Sequence, residues 1–183
     1  MDMIYTFKEL LRKGETQYSV RQKLRNGSLF QFGRGLYSDK PNGRGSEAHY
    51  CKMYPNGILT GYTAFTWYDL TDGVPEKISL ATPRNALPIR DVIVEQSYQA
   101  LDTIAIGATT VETEDGPVRI YDLERTAIEL FRRRSKFPSD LYYEVLSSLR
   151  ERKGELDFVK IYDYLSAFKN GSGLFQKIKE AMA

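Results

Sequence analysis

The N-terminal segment changes from helical to strand spacing of its apolar side chains. Thr6 precedes Glu9 by three positions, a capping-box spacing that predicts the start of a short helix. A second helix is predicted over 16–25 and ends at Asn-Gly, two residue types that tolerate a left-handed backbone. Phe30 and Phe32 then share one face at strand spacing, and the glycines between 28–32 and 36–38 predict a β-hairpin.

Beyond the hairpin, strand-like and helix-like segments alternate, and from Asp122 onward the spacing is helical throughout. The predicted segments are helices over 47–54 and 62–70, strands over 58–60, 77–82, 92–95, 109–113 and 118–121, and helices beginning near 122, 139, 156 and 173. Strands followed by helices predict an α+β fold, in which a mixed α/β domain ends in a helical bundle.

Chain breakers and small polar residues separate the two parts. The segment 40–46 has the composition of a linker, with Pro, Asn, Gly and Ser among its residues. It divides the chain into a small domain over 1–39 and a larger domain over 47–183.

The net charge of +2 conceals an uneven distribution of charge along the chain. Residues 1–44 contain nine Lys or Arg against four Asp or Glu, whereas the remainder has a small excess of acids. A basic module next to a mildly acidic domain indicates a surface that faces a polyanion. The alternative is chance clustering of charges on a solvated surface.

The second predicted helix separates apolar from basic residues around its axis. At about 100° per residue, Val20 and Leu24 form a narrow apolar stripe, and the long polar side chains face away from it. The predicted DNA-contacting residues are Tyr18, Arg21, Gln22 and Arg25 on this helix and Arg34 at the hairpin tip. A basic helix before a basic hairpin is typical of a winged helix-turn-helix, whereas the alternative is a module that only packs on the rest of the protein.

Few residues are suited to catalysis or metal binding. The single Cys51 and the single His49 exclude a disulfide framework, a cysteine-rich zinc site and any site with two imidazoles. No Gly-rich phosphate loop is present, so we expect no catalytic residue, no metal and no cofactor. Acids such as Asp72 and Glu76 leave a metal-dependent nucleic-acid enzyme as an alternative. A second candidate basic patch consists of Arg132, Arg133 and Arg134.

The sequence predicts neither a signal peptide nor a membrane span. Its N-terminus lacks a long apolar stretch, and no apolar run reaches the roughly 18–20 residues that cross a bilayer. With one cysteine, these features predict a cytoplasmic protein without a membrane partner.

Several segments, taken in order, resemble the AbiEi-type antitoxins of bacterial abortive-infection toxin–antitoxin systems. They span most of the chain and are 25–29, 33–37, 58–64, 70–84 and 121–127. The resemblance implies a winged helix that binds operator DNA and represses its own operon, and a C-terminal domain that counteracts a nucleotidyltransferase toxin. It assigns DNA contact to the residues named above and marks the antitoxin domain by Tyr121, Asp122, Glu124, Arg125 and Thr126. From the residues alone, Asp122 is a helix cap and Glu124 and Arg125 form a local ion pair.

The N-terminal module departs from this pattern, because a helix-turn-helix module usually has one more helix before these two. The expected domain is therefore a truncated winged helix-turn-helix, and direct binding of the toxin, with little role for DNA, stays open as a second hypothesis. Binding to a two-fold operator would imply a homodimer on DNA.

Overall fold

The computed structural model describes residues 4–33, 35–41 and 45–183 and confirms a mixed α+β fold. Its N-terminal elements are β1 (Ile4–Thr6), α1 (Phe7–Arg12), α2 (Gln17–Arg25), β2 (Phe30–Gly33) and β3 (Leu36–Ser38). The middle of the chain forms α3 (Glu47–Met53), β4 (Ile58–Leu59), α4 (Gly61–Trp67), β5 (Ile78–Pro83), β6 (Val94–Gln99), β7 (Ala108–Thr113) and β8 (Gly116–Tyr121). The C-terminal part forms α5 (Leu123–Arg132), α6 (Ser139–Glu151), α7 (Phe158–Ser166) and α8 (Gly171–Ala181).

The N-terminal elements combine two short helices with a three-stranded antiparallel sheet of strand order β1-β3-β2. The predicted capping box of α1 is confirmed. Thr6 Oγ1 accepts a hydrogen bond from the Glu9 amide at 3.2 Å, and Glu9 Oε2 accepts one from the Thr6 amide at 2.7 Å. Thr16 and Ser19 cap α2 in the same reciprocal way. The small core of this unit consists of Leu10, Val20, Leu29 and Tyr37.

The N-terminal sheet packs against the part of the chain that follows it. Leu36 on β3 is buried and belongs to the same hydrophobic cluster as residues of α3 and of the larger sheet. Lys52 on α3 forms an ion pair with Glu9 at 3.4 Å. Because three short strands bury little apolar area alone, these contacts stabilise the unit. Of the predicted linker 40–46, residues 42–44 lie outside the described residues.

A five-stranded mixed sheet of order β6-β5-β4-β8-β7 forms the middle of the protein. β5 pairs with β6, and β4 with β8, in parallel, while the other neighbours are antiparallel. The strands predicted over 109–113 and 118–121 form a hairpin, in which Thr113 and Gly116 pair across a two-residue turn.

The strand predicted over 92–95 lies further along the chain than expected. β6 spans Val94–Gln99, and its buried residues include the polar Ser97 and Gln99. Because polar side chains occupy buried positions in its second half, the hydrophobic pattern marks only where the strand begins.

The four C-terminal helices enclose the largest hydrophobic cluster. α5 packs against α4, α7 and α8, and every residue over 124–130 is buried. The predicted cap of α5 is confirmed, because Asp122 Oδ1 accepts a hydrogen bond from the Arg125 amide at 2.8 Å. Among the described residues, no helix has the length and apolar character needed to span a membrane.

Candidate functional site

The outer face of α2 carries the polar residues that the sequence assigns to it. Val20 is 2% exposed and Leu24 is half-buried, so the predicted apolar stripe faces the core. Tyr18 is 71% exposed, and Arg21 and Arg25 are exposed as well. The helix thus presents a phenol and two guanidinium groups to solvent.

One side-chain hydrogen bond orders this face, and its two arginines form no ion pair with a described residue. Gln22 Nε2 donates a hydrogen bond to Tyr18 Oη at 2.9 Å, which holds these two side chains together along one side of the helix. Neither Arg21 nor Arg25 forms an ion pair with a described residue. Arg34, the predicted contact at the hairpin tip, lies outside the described residues.

The acids near α2 are already engaged by other cations. Glu15 pairs with Lys23, and hydrogen bonds from Lys23 and Ser19 lower the pKa of the Glu15 carboxyl. Glu9 pairs with Lys52 of α3. Within the described part of the chain, the guanidinium groups of α2 therefore remain available to an external anion.

The C-terminal residues that carry the family resemblance lie at a different place, where the start of α5 meets α7. Lys160 Nζ lies 3.0 Å from Asp122 Oδ2 and 2.8 Å from Glu124 Oε2. Tyr164 Oη donates to Asp122 Oδ2 at 2.7 Å, and burial together with this bond raises the pKa of Tyr164 to about 12. The hydrogen bond to Glu124 and the bond to Asp122 raise the pKa of Lys160.

The predicted ion pair between Glu124 and Arg125 is wrong. Glu124 pairs with Lys160, whereas Arg125 pairs with Glu129, with 3.0 Å between Arg125 Nε and Glu129 Oε1. Adjacent residues on a helix point about 100° apart, and residues four apart lie on one face. Both side chains of the Arg125–Glu129 pair are 0% exposed.

Arg125 is held by rings and carbonyl groups as well as by its acid. The guanidinium carbon lies 4.5 Å from the ring centroid of Tyr121 and 4.6 Å from that of Phe168. Nη1 donates to the carbonyl oxygens of Thr103 at 2.8 Å and Ile106 at 3.0 Å. Nη2 is buried and has no hydrogen-bond partner among the described residues. Burial raises the pKa of Tyr121 to about 12.

Glu129 also contacts Gln99 of β6 and Arg132 at the surface. Glu129 Oε2 accepts a hydrogen bond from Gln99 Nε2 of β6 at 3.2 Å. Arg132 pairs with Glu129 and donates from Nη1 to Gln99 Oε1 at 3.2 Å. Together these residues form the Arg125 cluster, which consists of Gln99, Tyr121, Arg125, Glu129, Arg132 and Phe168. It joins β6, β8 and α5 to the segment after α7.

The last motif residue, Thr126, also makes an internal contact. It is buried, and its hydroxyl donates to the carbonyl oxygen of Tyr121 at 3.3 Å. The Tyr121 hydroxyl in turn donates to the Ile104 carbonyl at 2.9 Å. All five motif residues therefore contribute side-chain contacts within the fold.

The three arginines of the second candidate patch contact three different rings. Arg132 stacks on Phe168 at 4.5 Å, Arg133 approaches Phe137 at 6.0 Å, and Arg134 stacks on Tyr142 at 4.0 Å, all measured to the ring centroid. α5 ends at Arg132, so the other two follow the helix rather than form its last turn. Each of the three guanidinium groups thus packs on an aromatic ring of the helical part.

The surroundings of Cys51 and His49 favour their unreactive forms. Burial raises the pKa of the Cys51 thiol, whose sulfur accepts a hydrogen bond from the Arg119 amide at 3.3 Å. Burial lowers the pKa of His49, which favours the neutral imidazole. Within the described ranges, no three or more His, Cys, Asp or Glu side chains are grouped so as to hold a metal.

Sequence reasoning missed the partners of the motif, above all Glu129 and Lys160. One signal was present for Glu129, because it stands four residues after Arg125 on a helix whose other positions are largely apolar. Lys160 and Phe168 come from a distant part of the chain and give no local signal.

Comparison with known proteins adds information on the fold only. No protein-family model matches the chain, and no curated protein matches it. Its fold is similar to that of the crystal structure of the RV2827C protein from Mycobacterium tuberculosis, with a TM-score of 0.67 and 14% sequence identity. The match covers 99% of this chain and 72% of that one. At this level of identity the likeness concerns architecture and not function.

Proposed function

We propose that the protein is a DNA-binding antitoxin, which represses its own operon and counteracts a nucleotidyltransferase toxin without catalysing a reaction. The proposal combines the resemblance to AbiEi-type antitoxins with the polar face of α2. The single observation that carries the DNA-binding part is the exposure of Arg21 and Arg25 beside Tyr18. These two guanidinium groups lie on one helix face and pair with no acid among the described residues, so they can donate hydrogen bonds to phosphate groups and guanine edges.

The order of elements around α2 supports a winged helix. Two helices precede a hairpin, and one hairpin strand, β3, also pairs with β1, which gives the sheet order β1-β3-β2. In this reading α2 enters the major groove, and the β2–β3 hairpin contacts the backbone or the minor groove. α3 packs against β1 and offers part of the support that a third helix gives in such modules.

A second candidate is a protein that binds its toxin directly. The helical part exposes large side chains, with Tyr143 62%, Val159 70% and Tyr162 55% exposed. Exposed aromatic and branched side chains are typical of protein-binding surfaces, and these residues lie on α6 and α7 rather than on the DNA-binding unit.

The first experiment measures binding to DNA from upstream of the gene by fluorescence anisotropy at several salt concentrations. With several phosphate contacts, the affinity should fall by orders of magnitude between about 50 and 200 mM salt. The double variant Arg21→Ala/Arg25→Ala should bind at least about tenfold more weakly and lower the salt slope by about two. Unchanged binding by the double variant would refute the assignment of α2 as the DNA-contacting helix.

A matched control keeps the loss of net charge but moves it away from α2. Lys169 and Lys177 are exposed and lie in the helical part, so Lys169→Ala/Lys177→Ala removes the same charge. This control should bind the DNA nearly as the wild type does.

A second experiment separates the two candidates. The variant Arg21→Ala/Arg25→Ala is co-expressed in cells with the toxin gene that neighbours its own gene. Cells that survive despite lost DNA binding would show that protection does not require DNA binding. A stable complex that co-purifies with the toxin would favour direct binding.

A further inference from the structure

β6 is an open edge of the five-stranded sheet. The amide of Arg84, just after β5, donates to the Gln99 carbonyl at 2.8 Å, so the odd-numbered residues of β6 bond towards β5. Because the bonding direction alternates along a strand, the amide and carbonyl groups of Gln96 and Tyr98 face away from the sheet. No described residue bonds to these backbone groups. They form a template for another strand.

Exposed apolar side chains surround this edge. Tyr98 is 46% exposed on the strand, and Val92 and Leu101, at 85% and 64%, flank its two ends. Leu87 is 86% exposed, and its carbonyl accepts a hydrogen bond from Gln96 Nε2 at 3.2 Å, which holds it beside the strand. Soluble proteins usually protect such edges, and an open apolar edge marks an interaction surface.

We propose that β6 pairs with β6 of a second copy of the chain, antiparallel about a two-fold axis at Gln96. In this register the Gln96 amide and carbonyl bond to those of Gln96 in the second copy. The Tyr98 amide bonds to the Val94 carbonyl of the other copy, and the symmetry repeats this bond. Two five-stranded sheets thereby become one continuous sheet.

The residues of β6 are complementary to themselves in this register. Val94 stands opposite Tyr98 of the second copy, and a β-branched residue opposite an aromatic one is a favourable cross-strand pair. Glu95 stands opposite Ser97, whereas a register centred on Glu95 would place two carboxylates opposite each other. The strand thus disfavours the register centred on Glu95.

The segments beside the strand are also complementary. Antiparallel pairing brings the segment before one β6 next to the segment after the other. Arg90 is exposed before the strand and Asp102 after it, so each end of the paired strands carries residues of opposite charge from the two copies. The exposed apolar residues Val92 and Leu101 lie at the same ends. This complementarity indicates a second copy as the occupant of the edge.

The first test measures the mass of the purified full-length chain by sedimentation velocity, without DNA or toxin. The mass should rise with concentration from 21.0 kDa towards that of a dimer. Tyr98→Pro removes an outward amide and adds a ring where the second strand would bind, so this variant should stay monomeric. Far-UV circular dichroism confirms that it is folded. Because the assay contains no DNA or toxin, its result is independent of the proposed function.

The second test reverses the flanking charges. Arg90→Glu should weaken the dimer roughly tenfold, because two symmetric ion pairs become repulsive. The double variant Arg90→Glu/Asp102→Arg should restore the wild-type dimer, which a purely structural role of either residue would not produce. Raised salt should weaken this charge dependence.

The opposite edge provides the control. In the β7–β8 hairpin, Thr113 is paired with Gly116 across the turn. Because hydrogen-bonded and non-hydrogen-bonded pairs alternate along an antiparallel ladder, the backbone amide of Thr110 faces away from β8. Thr110→Pro should therefore leave the dimer intact. A wild-type chain that stays monomeric up to about 1 mM, the weak end of measurable association, would overturn the proposal. So would a dimer that survives Tyr98→Pro, or a charge reversal that the double variant does not rescue. A monomeric chain that needs Tyr98 to bind its toxin would assign the edge to that partner instead.

Discussion

Removal of the Glu129 carboxylate should destabilise the protein more than any single surface change. Glu129 is fully buried and compensates the charge of the equally buried Arg125. It also accepts a hydrogen bond from Gln99 and pairs with Arg132. In Glu129→Ala, Arg125 keeps its bonds to the Thr103 and Ile106 carbonyls but loses its counter-charge.

The expected magnitude follows from the burial of both partners. Breaking a buried ion pair by removing one partner costs about 3–5 kcal/mol, because a desolvated charge is left without compensation. Typical domains are stable by only about 5–15 kcal/mol, so the loss is a large part of the total. For a domain of this size it corresponds to a fall in Tm of roughly 10 °C. Glu129→Gln keeps an oxygen acceptor and should fall between wild type and Glu129→Ala.

Urea denaturation followed by circular dichroism measures this free energy of unfolding. The matched control is Glu155→Ala, which removes a glutamate whose side chain is 55% exposed and which pairs with Arg152 at 2.7 Å. Exposed pairs contribute much less than buried ones, so the control should lose far less stability than Glu129→Ala. If Glu129→Ala lost no more stability than Glu155→Ala, the Arg125 cluster would not stabilise the fold and the reasoning would be refuted.

Three further predictions concern stability. Gly107 has φ +73°, and an added Cβ would lie 2.5 Å from Arg125 Cβ, so Gly107→Ala should lower Tm by several degrees in thermal melts. Burial raises the pKa of Tyr121 to about 12, whereas the same hydroxyl in the unfolded chain loses its proton near pH 10. The free energy of unfolding should therefore fall as the pH rises from about 10 to 12. Urea denaturation at each pH should show a less steep fall for Tyr121→Phe. Arg21→Ala/Arg25→Ala should leave Tm unchanged within about 1 °C, since both side chains are exposed; a larger shift would mean that they also support the fold.

Local signals explain which parts of the fold the sequence predicts well. The caps at Thr6 and Asp122, the hairpin over 108–121 and the two faces of α2 depend on residues within a few positions of one another. The order of the five strands depends on contacts between distant segments, and no local pattern encodes it. The pattern predicts a strand over 92–95 rather than over Val94–Gln99, because Ser97 and Gln99 are buried polar residues that an apolar pattern does not include.

The candidate site shows the same division. The residues of α2 could be assigned from helical spacing alone, because exposure on a short helix follows from its apolar stripe. The partners of Arg125 could not be assigned, since one ring comes from β8 and the other from the segment after α7. A charged residue four positions from another on a mostly apolar helix, as with Arg125 and Glu129, is the pattern that could have indicated a buried pair.

The burial of the C-terminal motif limits what its side chains can contact outside the fold. Arg125 and Thr126 are inaccessible, and Asp122 and Glu124 are occupied by Lys160, so none of these side chains is free to touch a toxin. Substitutions there that abolish protection would act by unfolding the domain rather than by removing a contact. Under the proposed antitoxin function, the toxin-contacting surface is therefore to be sought among exposed residues that leave the Tm unchanged when substituted. Tyr143, Val159 and Tyr162 meet the exposure criterion and are the first positions to test.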